Sequence, residues 1–251
     1  LSERFRLKAR EWLDAPGRKR AYNERHFAAA AARYDLATRA MSLGRDAAWK
    51  RILVGALPDL PSPVCVDLAC GTGDVSFLLA GRYPGGVVTG VDLSASMLAI
   101  ARGRNRFGNV RFERGDMGGL PLPDGSADVV TGGYALRNAP DLREAVSEVH
   151  RVLAPGGVAA FLDFSNPESP LLRRLQYVLL RSWCGLWGLL LHGTPEIHGY
   201  VAESLRAFPS RSLLRELFRE QGLGLYVDRR FFLGITGLLV LRKGVESWKS
   251  H

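Results

Sequence analysis

The sequence predicts an α/β domain: a seven-stranded, mostly parallel sheet with helices on both faces, closed by an antiparallel hairpin near its C-terminal end. Three observations predict it. From residue 64 onward, short runs rich in β-branched residues alternate with helix-length amphipathic stretches, the pattern of βαβ units and a parallel sheet. A glycine-bearing turn, CGTG, joins the first of these runs to the first such helix. The last two β-rich runs are separated only by a Gly-containing turn, which marks a hairpin.

Before the sheet, residues 21–55 carry apolar or aromatic side chains such as Phe27, Ala30, Tyr34, Met41, Trp49 and Ile52, separated mostly by three or four. That spacing predicts a helical cap over 1–55, ended by the breaker PDLPSP. Strands are expected at 64–68, 87–91, 110–113, 127–131 and 158–164, each finishing near Gly, Asp or Pro. Helices at 74–82, 94–104 and 142–153 fit between them, and a helix at 210–221 precedes hairpin strands at 224–232 and 236–242. No internal repeat or low-complexity tract interrupts the chain, so cap and sheet domain (56–251) are expected to form one structural unit.

Composition limits the function classes. With 47% hydrophobic and 24% charged residues in 251, the chain is an ordinary folded protein and no fibrous or disordered one. Its net charge of +9 draws attention to acidic partners, and the basic residues cluster at Arg4, Arg6, Lys8, Arg10, Arg18, Lys19 and Arg20. No aromatic-interleaved basic ladder follows, so no nucleic-acid partner is expected. Cys65, Cys70 and Cys184 form neither a CxxC pair nor an even set, which indicates a reducing cytoplasm and no disulfide framework or zinc site. The opening LSERFRLKAR is charged where a signal peptide needs an apolar core, so secretion is not expected.

The run VCVDLACGTGDVSFLLA passes from strand into helix, with Gly71 and Gly73 at the tight turn and Asp74 near the helix start. Glycine there lets a ligand lie against the backbone at the C-terminal edge of a parallel sheet, where such folds bind ligands. The same pair also serves such a turn for steric reasons alone, so it identifies a cofactor loop only in company. Asp92 ends the second strand about 20 residues on, where a carboxylate accepts both hydroxyls of a ribose. Ser76 stands at the third glycine position of the dinucleotide fingerprint GxGxxG, which argues against a nicotinamide cofactor. Asp67 and Asp74 add carboxylates around the loop; these repel a pyrophosphate and suit the ammonium and sulfonium of S-adenosylmethionine. Two local readings stand beside that one: Asp67 bonding its own turn, and Asp74 capping its helix. Asp116, after the strand VRFERGD, suits either an adenine amino group or a turn.

In order and at normal spacing, VDLACGTGD, VTGVDLSASML, ERGDMGGLPLPDGSAD and HRVLAPGG resemble the successive motifs of class I S-adenosylmethionine-dependent methyltransferases. More narrowly, FAAAAARYDLATRAMSLGRDAAWKR, GGYALRNAPD and HGYVAESLRAFP resemble the ubiquinone/menaquinone C-methyltransferase, or UbiE-like, family over residues 27–242. The resemblance implies a Rossmann-like fold with a helical lid inserted at about 168–208. It implies S-adenosylmethionine as cofactor, S-adenosylhomocysteine as product, and C-methylation of a prenylated quinol, demethylmenaquinol-like or a ubiquinone precursor. By position it implies cofactor contacts at Tyr34, Asp67, Gly71, Thr72, Gly73, Asp92, Leu93, Met97, Asp116, Met117 and Gly133, with Tyr34 closing over the methionine end. Arg137 and Asn138 are then expected at the acceptor, with Tyr134 beside them as a catalytic candidate. The chain departs from the family at Gly133, commonly Ser, at Thr38, commonly Asn, and at His198, commonly aromatic. Those departures leave a phenolic or polyketide acceptor, or a non-methylating cyclase or binding role, as alternatives.

An activated sulfonium needs little covalent help, so alignment of methyl donor and nucleophile and exclusion of water are the main tasks expected of the protein. Carbon methylation needs electron density from a phenolic oxygen, and a cation beside that oxygen stabilises the developing phenolate. Arg137 suits that role, with Asn138 orienting it or the substrate, and is a poor base because guanidinium keeps its proton; a turn before Pro140 would use the same two residues. Tyr134, His192, His198 and water are all open as the base, and His150, inside VSEVHRVL, is the weakest candidate. No metal is expected, since the histidines lack acids at ligand spacing.

The apolar stretch at 177–193 is interrupted by Arg181 and too short to span a bilayer. Trp183 and Trp187, four apart, share a helical face. Four readings stay open for it: a lid over a hydrophobic small-molecule acceptor, a peripheral membrane contact, buried core, or the interface of a homodimer.

Overall fold

The computed structural model describes residues 15–244. Of the basic cluster, Arg4, Arg6, Lys8 and Arg10 lie outside the described residues. Seven strands, β1 (Val64–Leu68), β2 (Val87–Asp92), β3 (Val110–Arg114), β4 (Ala127–Gly133), β5 (Leu153–Phe164), β6 (Leu223–Phe231) and β7 (Thr236–Lys243), form one sheet in the order β3-β2-β1-β4-β5-β7-β6. β1 to β5 pair in parallel, and β7 runs antiparallel to both of its neighbours. The order reverses between β1 and β4, so the crevice at their C-terminal ends is the ligand position of this architecture. This is the Rossmann-like fold that the βαβ pattern predicts.

Strand alternation sends Val66 and Leu68 of β1 to one face and Cys65 to the other. On the second face, helices α3 (Asp46–Gly55), α4 (Asp74–Arg82) and α5 (Ala95–Arg104) cover the sheet with Trp49, Leu53, Leu79 and Leu98. On the first, α6 (Leu142–Val152), α8 (Glu196–Ala207) and α9 (Arg211–Glu220) contribute Val146, Val149, Leu205, Leu214 and Phe218. Caps fix where these helices begin. The Ser94 hydroxyl accepts from the Met97 amide, and the Asp141 carboxylate accepts from the Arg143 and Glu144 amides.

The structure differs from the sequence expectation in two places. The region read as continuously helical is three helices, because α1 (Pro16–Ala30) passes through a 3-10 turn at Ala31–Arg33 into α2 (Tyr34–Met41), and Leu43 and Gly44 then turn the chain with positive φ before α3. β5 also starts five residues earlier than expected: Leu153 pairs with Ala127 ahead of a register shift, which ends α6 at Val152.

The apolar stretch lies in the long helix α7 (Pro170–His192), which starts with Pro in its first turn and stops at Gly193 with φ 72. Gly188 lets α7 close onto the turn into α8, since a Cβ there would stand 2.7 Å from the Thr194 carbonyl oxygen. Among the described residues, no helix is long and apolar enough to cross a membrane.

Candidate active site at the sheet edge

Two cavities meet above the C-terminal ends of β1, β2 and β4. The first is lined by Tyr34, Gly71, Asp92, Leu93, Met97, Asp116, Met117, Gly133, Tyr134 and Asn138, so most of the residues expected at the cofactor share one space. Asp92 organises it. Its Oδ2 accepts from the Gly71 amide and its Oδ1 from the Ser94 amide, each at 2.8 Å, so one carboxylate ties the first loop to the second. Burial pushes the Asp92 carboxyl up, and those amides hold it down. Gly71 has φ 56 and Gly73 φ 92, conformations that glycine adopts without strain. At Gly73 a side chain is also excluded by space: a Cβ would come within 2.8 Å of the Phe77 ring.

The expected ring of free acids is not what the loop presents. Asp67 is buried beneath it, accepting from the Ser76 and Thr131 hydroxyls at 2.7 and 2.9 Å. Burial pushes its carboxyl up to about 6 against those hydroxyls. Asp74 is committed to Lys50 at 3.0 Å and Arg104 at 2.7 Å; although burial pushes its carboxyl up, the two cations hold it low. Thr72 donates to Asp35 at 2.7 Å, and Asp35 also pairs with Arg104. Asp67 and Thr72 therefore line a small crevice behind the loop with Lys50 and Asp74, and Gly73 lines neither space. What remains for a cationic ligand in the first cavity is Asp92 and Asp116. Asp116 also forms its own turn by accepting from the Gly118 amide at 3.0 Å, and it pairs with Arg20 at 3.2 Å.

The second cavity has a volume of about 360 Å³, within the range of small-molecule sites. It shares Phe27, Tyr34 and Tyr134 with the first, so these three rings form the wall between them. Tyr134 holds φ 60 just after β4. Burial and the Asp46 carboxylate raise its hydroxyl well above the ordinary tyrosine value.

Arg137 and Asn138 follow in a 3-10 turn, Leu136–Asn138. The Arg137 amide donates to Asp163 at 3.0 Å, and the guanidinium stands 3.7 Å from the same carboxylate. It also bonds the Ser204 hydroxyl and lies over the Phe164 and Tyr200 rings at 5.4 and 5.7 Å. Asn138 is locked by its own bond to the Tyr134 carbonyl at 2.8 Å and by the Tyr200 hydroxyl at 3.2 Å. Asn23 bonds the Asn138 carbonyl at 2.6 Å, joining α1 to the turn. Lys19 donates to the Arg137 carbonyl at 3.2 Å, and burial together with Arg137 pushes its ammonium down to about 8.

Sequence reasoning missed Asn23, His26, Lys50, Asp163, Tyr200 and Ser204. Asp163 left a signal: an acid inside the apolar run VAAFLDF, at the sheet edge where ligands bind. The others left none, because each acts through a partner more than a hundred residues away or from within an ordinary helical pattern. Of the histidines, His198 lines the second cavity, whereas His192 and His150 line neither. Among the described residues, no group of three or more His, Cys, Asp or Glu is arranged to hold a metal ion.

The mouth of the second cavity is apolar. Leu43, Leu179, Trp183 and Phe232 line it and are also exposed. Beyond it, α7 continues the surface with exposed Leu171, Leu172, Leu175, Val178, Leu186, Leu189 and Leu190.

The sequence profile of the ubiE/COQ5 methyltransferase family matches residues 17–240. The chain is 34% identical over 218 residues to the ubiquinone/menaquinone biosynthesis C-methyltransferase UbiE of Desulfotalea psychrophila, covering 86% of this chain and 87% of that protein. It is 38% identical over 217 residues to the demethylmenaquinone methyltransferase of Thermus thermophilus, covering 85% and 98%. Among solved structures, an S-adenosylmethionine-dependent methyltransferase from Mesorhizobium loti has the same fold, with a TM-score of 0.59 at 20% identity over 78% of this chain and 98% of that one.

Proposed function

The chain belongs to the ubiE/COQ5 methyltransferase family, and on that premise we propose that it methylates a ring carbon of a hydrophobic quinol, using S-adenosylmethionine. The observation that carries this reading is the pair of joined cavities, one edged by Asp92 and Asp116, the other apolar, divided only by Phe27, Tyr34 and Tyr134. Donor and acceptor held on either side of such a wall react within one closed space.

When bound, S-adenosylmethionine supplies a methyl group on a positively charged sulfur. Asp92 takes the ribose hydroxyls with the lone pairs its two backbone amides leave free, and Asp116 and Met117 border the adenine. Gly71 keeps the loop backbone close to the ligand, and Leu93, Met97 and Gly133 form the walls. Asp67, Thr72 and Gly73 support the loop from behind. Tyr34 closes over the methionine end.

On the acceptor side, Arg137 faces the phenolic oxygen and stabilises its negative charge as density moves into the ring. Asp163 and Ser204 fix the guanidinium, and Asn138 fixes the turn that carries it. Tyr134 keeps its proton at neutral pH and donates a hydrogen bond. With the donor bound, these groups would hold the ring carbon against its methyl group and stabilise the charge on the phenolic oxygen during transfer.

A lipid surface fits the same reading. An acceptor with a prenyl tail needs an apolar exit, and the cavity opens among exposed apolar side chains continuous with α7. Leu43, Phe232 and Leu233 project there at positive φ, and Leu233 is fully exposed. Exposed Arg173 and Arg174 on α7 and the net charge of +9 favour an anionic leaflet.

The test is transfer of an isotopically labelled methyl group into a prenylated demethylnaphthoquinol, read by mass spectrometry of the extracted lipid. We expect a product one methyl heavier, labelled on the ring carbon. Arg137→Lys should slow transfer by roughly a hundred-fold while cofactor affinity stays within about two-fold. A wild-type protein that binds the cofactor yet leaves the ring unlabelled overturns the reading.

A further inference from the structure

The second cavity is apolar over most of its wall, yet two imidazole nitrogens of its lining residues have no hydrogen-bond partner in the protein: His26 Nδ1 and His198 Nε2. The residues that carry them are 3% and 4% exposed. A buried polar group left unpaired is costly, and a fold that keeps two around one cavity keeps them for what enters it. Arg137 already has a role at the phenolic oxygen. The two imidazoles do not.

Both rings are held in place by packing. His26, on α1, lies between Tyr22, Phe27 and Tyr200, with centroid distances of 5.4, 5.0 and 4.5 Å. His198, on α8, meets the His192 ring edge to face at 5.0 Å. Arg137 lies over the same Tyr200 ring that His26 touches, so cation and imidazole flank one aromatic side chain without bonding each other. Burial pushes His26 down to about 3 and His198 down to about 4, which leaves both neutral at physiological pH. A neutral imidazole offers one donor and one acceptor and no charge. Its natural partner in an apolar chamber is a hydroxyl or carbonyl oxygen, and an anionic group finds its cation at Arg137 instead.

We propose that His26 and His198 form a polar subsite that hydrogen-bonds a second oxygen of the acceptor ring, so that the cavity selects rings oxygenated at two positions. The first oxygen is the one facing Arg137, and to that extent the proposal rests on the quinol reading above. It makes the two histidines specificity-determining residues, and it explains polar nitrogens in a chamber otherwise built for hydrocarbon.

The test measures binding without turnover. In the presence of S-adenosylhomocysteine and under anaerobic conditions, quenching of tryptophan fluorescence, with Trp183 in the cavity wall, reports the affinities of 2-hexyl-1,4-naphthohydroquinone and of 2-hexyl-1-naphthol. Wild type should prefer the dihydroxy ring by at least about ten-fold, the worth of a buried hydrogen bond. His26→Val and His198→Phe should each remove most of that preference and leave the affinity for 2-hexyl-1-naphthol within about two-fold. His26→Gln and His198→Gln, which keep a donor and an acceptor, should restore part of it, and S-adenosylhomocysteine affinity in every variant certifies the fold. Equal binding of both ligands by wild type, or a preference that survives in His26→Val and His198→Phe, overturns the proposal. Should the preference behave as expected while the methyl-transfer assay fails, the quinol methylation reading falls and the subsite stands.

Discussion

The cofactor loop and the acceptor chamber lie side by side but are built by different means. Around the loop the chemistry is laid down by backbone: Ala69, Gly71 and Gly73 take positive φ, and Asp92 is gripped by the amides of Gly71 and Ser94. Its core parts come from β1, β2 and the turns that follow them, a short and consecutive piece of chain. The chamber is laid down by side chains from four distant stretches, 26–49, 134–164, 179–201 and 232–236. A backbone-built site admits few replacements, because a change of residue changes the path of the chain. A side-chain-built site can be respecified residue by residue while the sheet beneath it stays intact. Of the three departures from family pattern, Thr38 and His198 fall in the chamber, and Gly133 lines the cofactor side.

The largest expected effect breaks the loop and spares the chamber. Asp92→Ala removes the ribose acceptor and strips two backbone amides of their partner, so cofactor affinity should fall by a hundred-fold or more, a loss of roughly 3 kcal/mol. Calorimetry with S-adenosylhomocysteine measures it, and binding of a naphthol probe to the chamber should change little. Unaltered cofactor affinity would show that the carboxylate only closes the loop on itself.

The same contrast decides what could be read from the sequence. The sheet and its helices were legible because each is written in a few consecutive residues. Asp92 was legible because strand ends fall at a fixed spacing. Asp67 and Asp74 were read correctly as acids near the loop, but their partners Thr131, Lys50 and Arg104 come from other elements, so the local pattern carried no sign that their charge was already used. The break at Leu43 was hidden because a leucine in the left-handed region is held there by its surroundings and carries no turn signature. His26, Asn23 and Tyr200 were illegible for the reason that makes the chamber adjustable: only tertiary packing brings them to it.

A smaller effect tests whether the chamber opens onto lipid. Leu43 and Leu233 are exposed at φ 53 and 56, where asparagine is better tolerated than leucine. Leu43→Asn with Leu233→Asn should therefore leave the fold intact while removing two insertable side chains. Each contributes on the order of 1 kcal/mol when only partly inserted, so partitioning onto anionic phospholipid vesicles should weaken by roughly 30-fold in sedimentation assays. Retained partitioning by the double variant would assign lipid contact elsewhere, and a loss of self-association with no change in partitioning would mark the face as a homodimer interface.

The smallest effect separates the regions by pH. Burial holds His26 at about 3 and His198 at about 4 in the folded chain, against 6.5 for a free imidazole. Once unfolded, the chain takes up two protons as pH falls through 6.5, and the folded chain does not. Their contribution to stability is thus fully present above that value and is lost progressively as pH drops toward 4 and then 3. The neighbouring charges are Arg137 and His192. Arg137 stays cationic throughout, and the His192 imidazole, facing His198, is itself held low by burial and Arg33. Between about pH 7 and pH 6, wild type should lose roughly 1 kcal/mol of unfolding free energy relative to a His26→Val, His198→Phe double variant, measured by denaturant titration. Asp67 bends the curve the other way: burial raises its carboxyl to about 6, so below that value the folded chain holds a proton that the unfolded chain releases, and acid favours the fold there; burial pushes Asp92 in the same direction. Both chains in the comparison carry those acids, so the difference between them isolates the imidazoles, and equal slopes would mean that the two rings are protonated in the folded protein and that the chamber is wetter than its packing indicates.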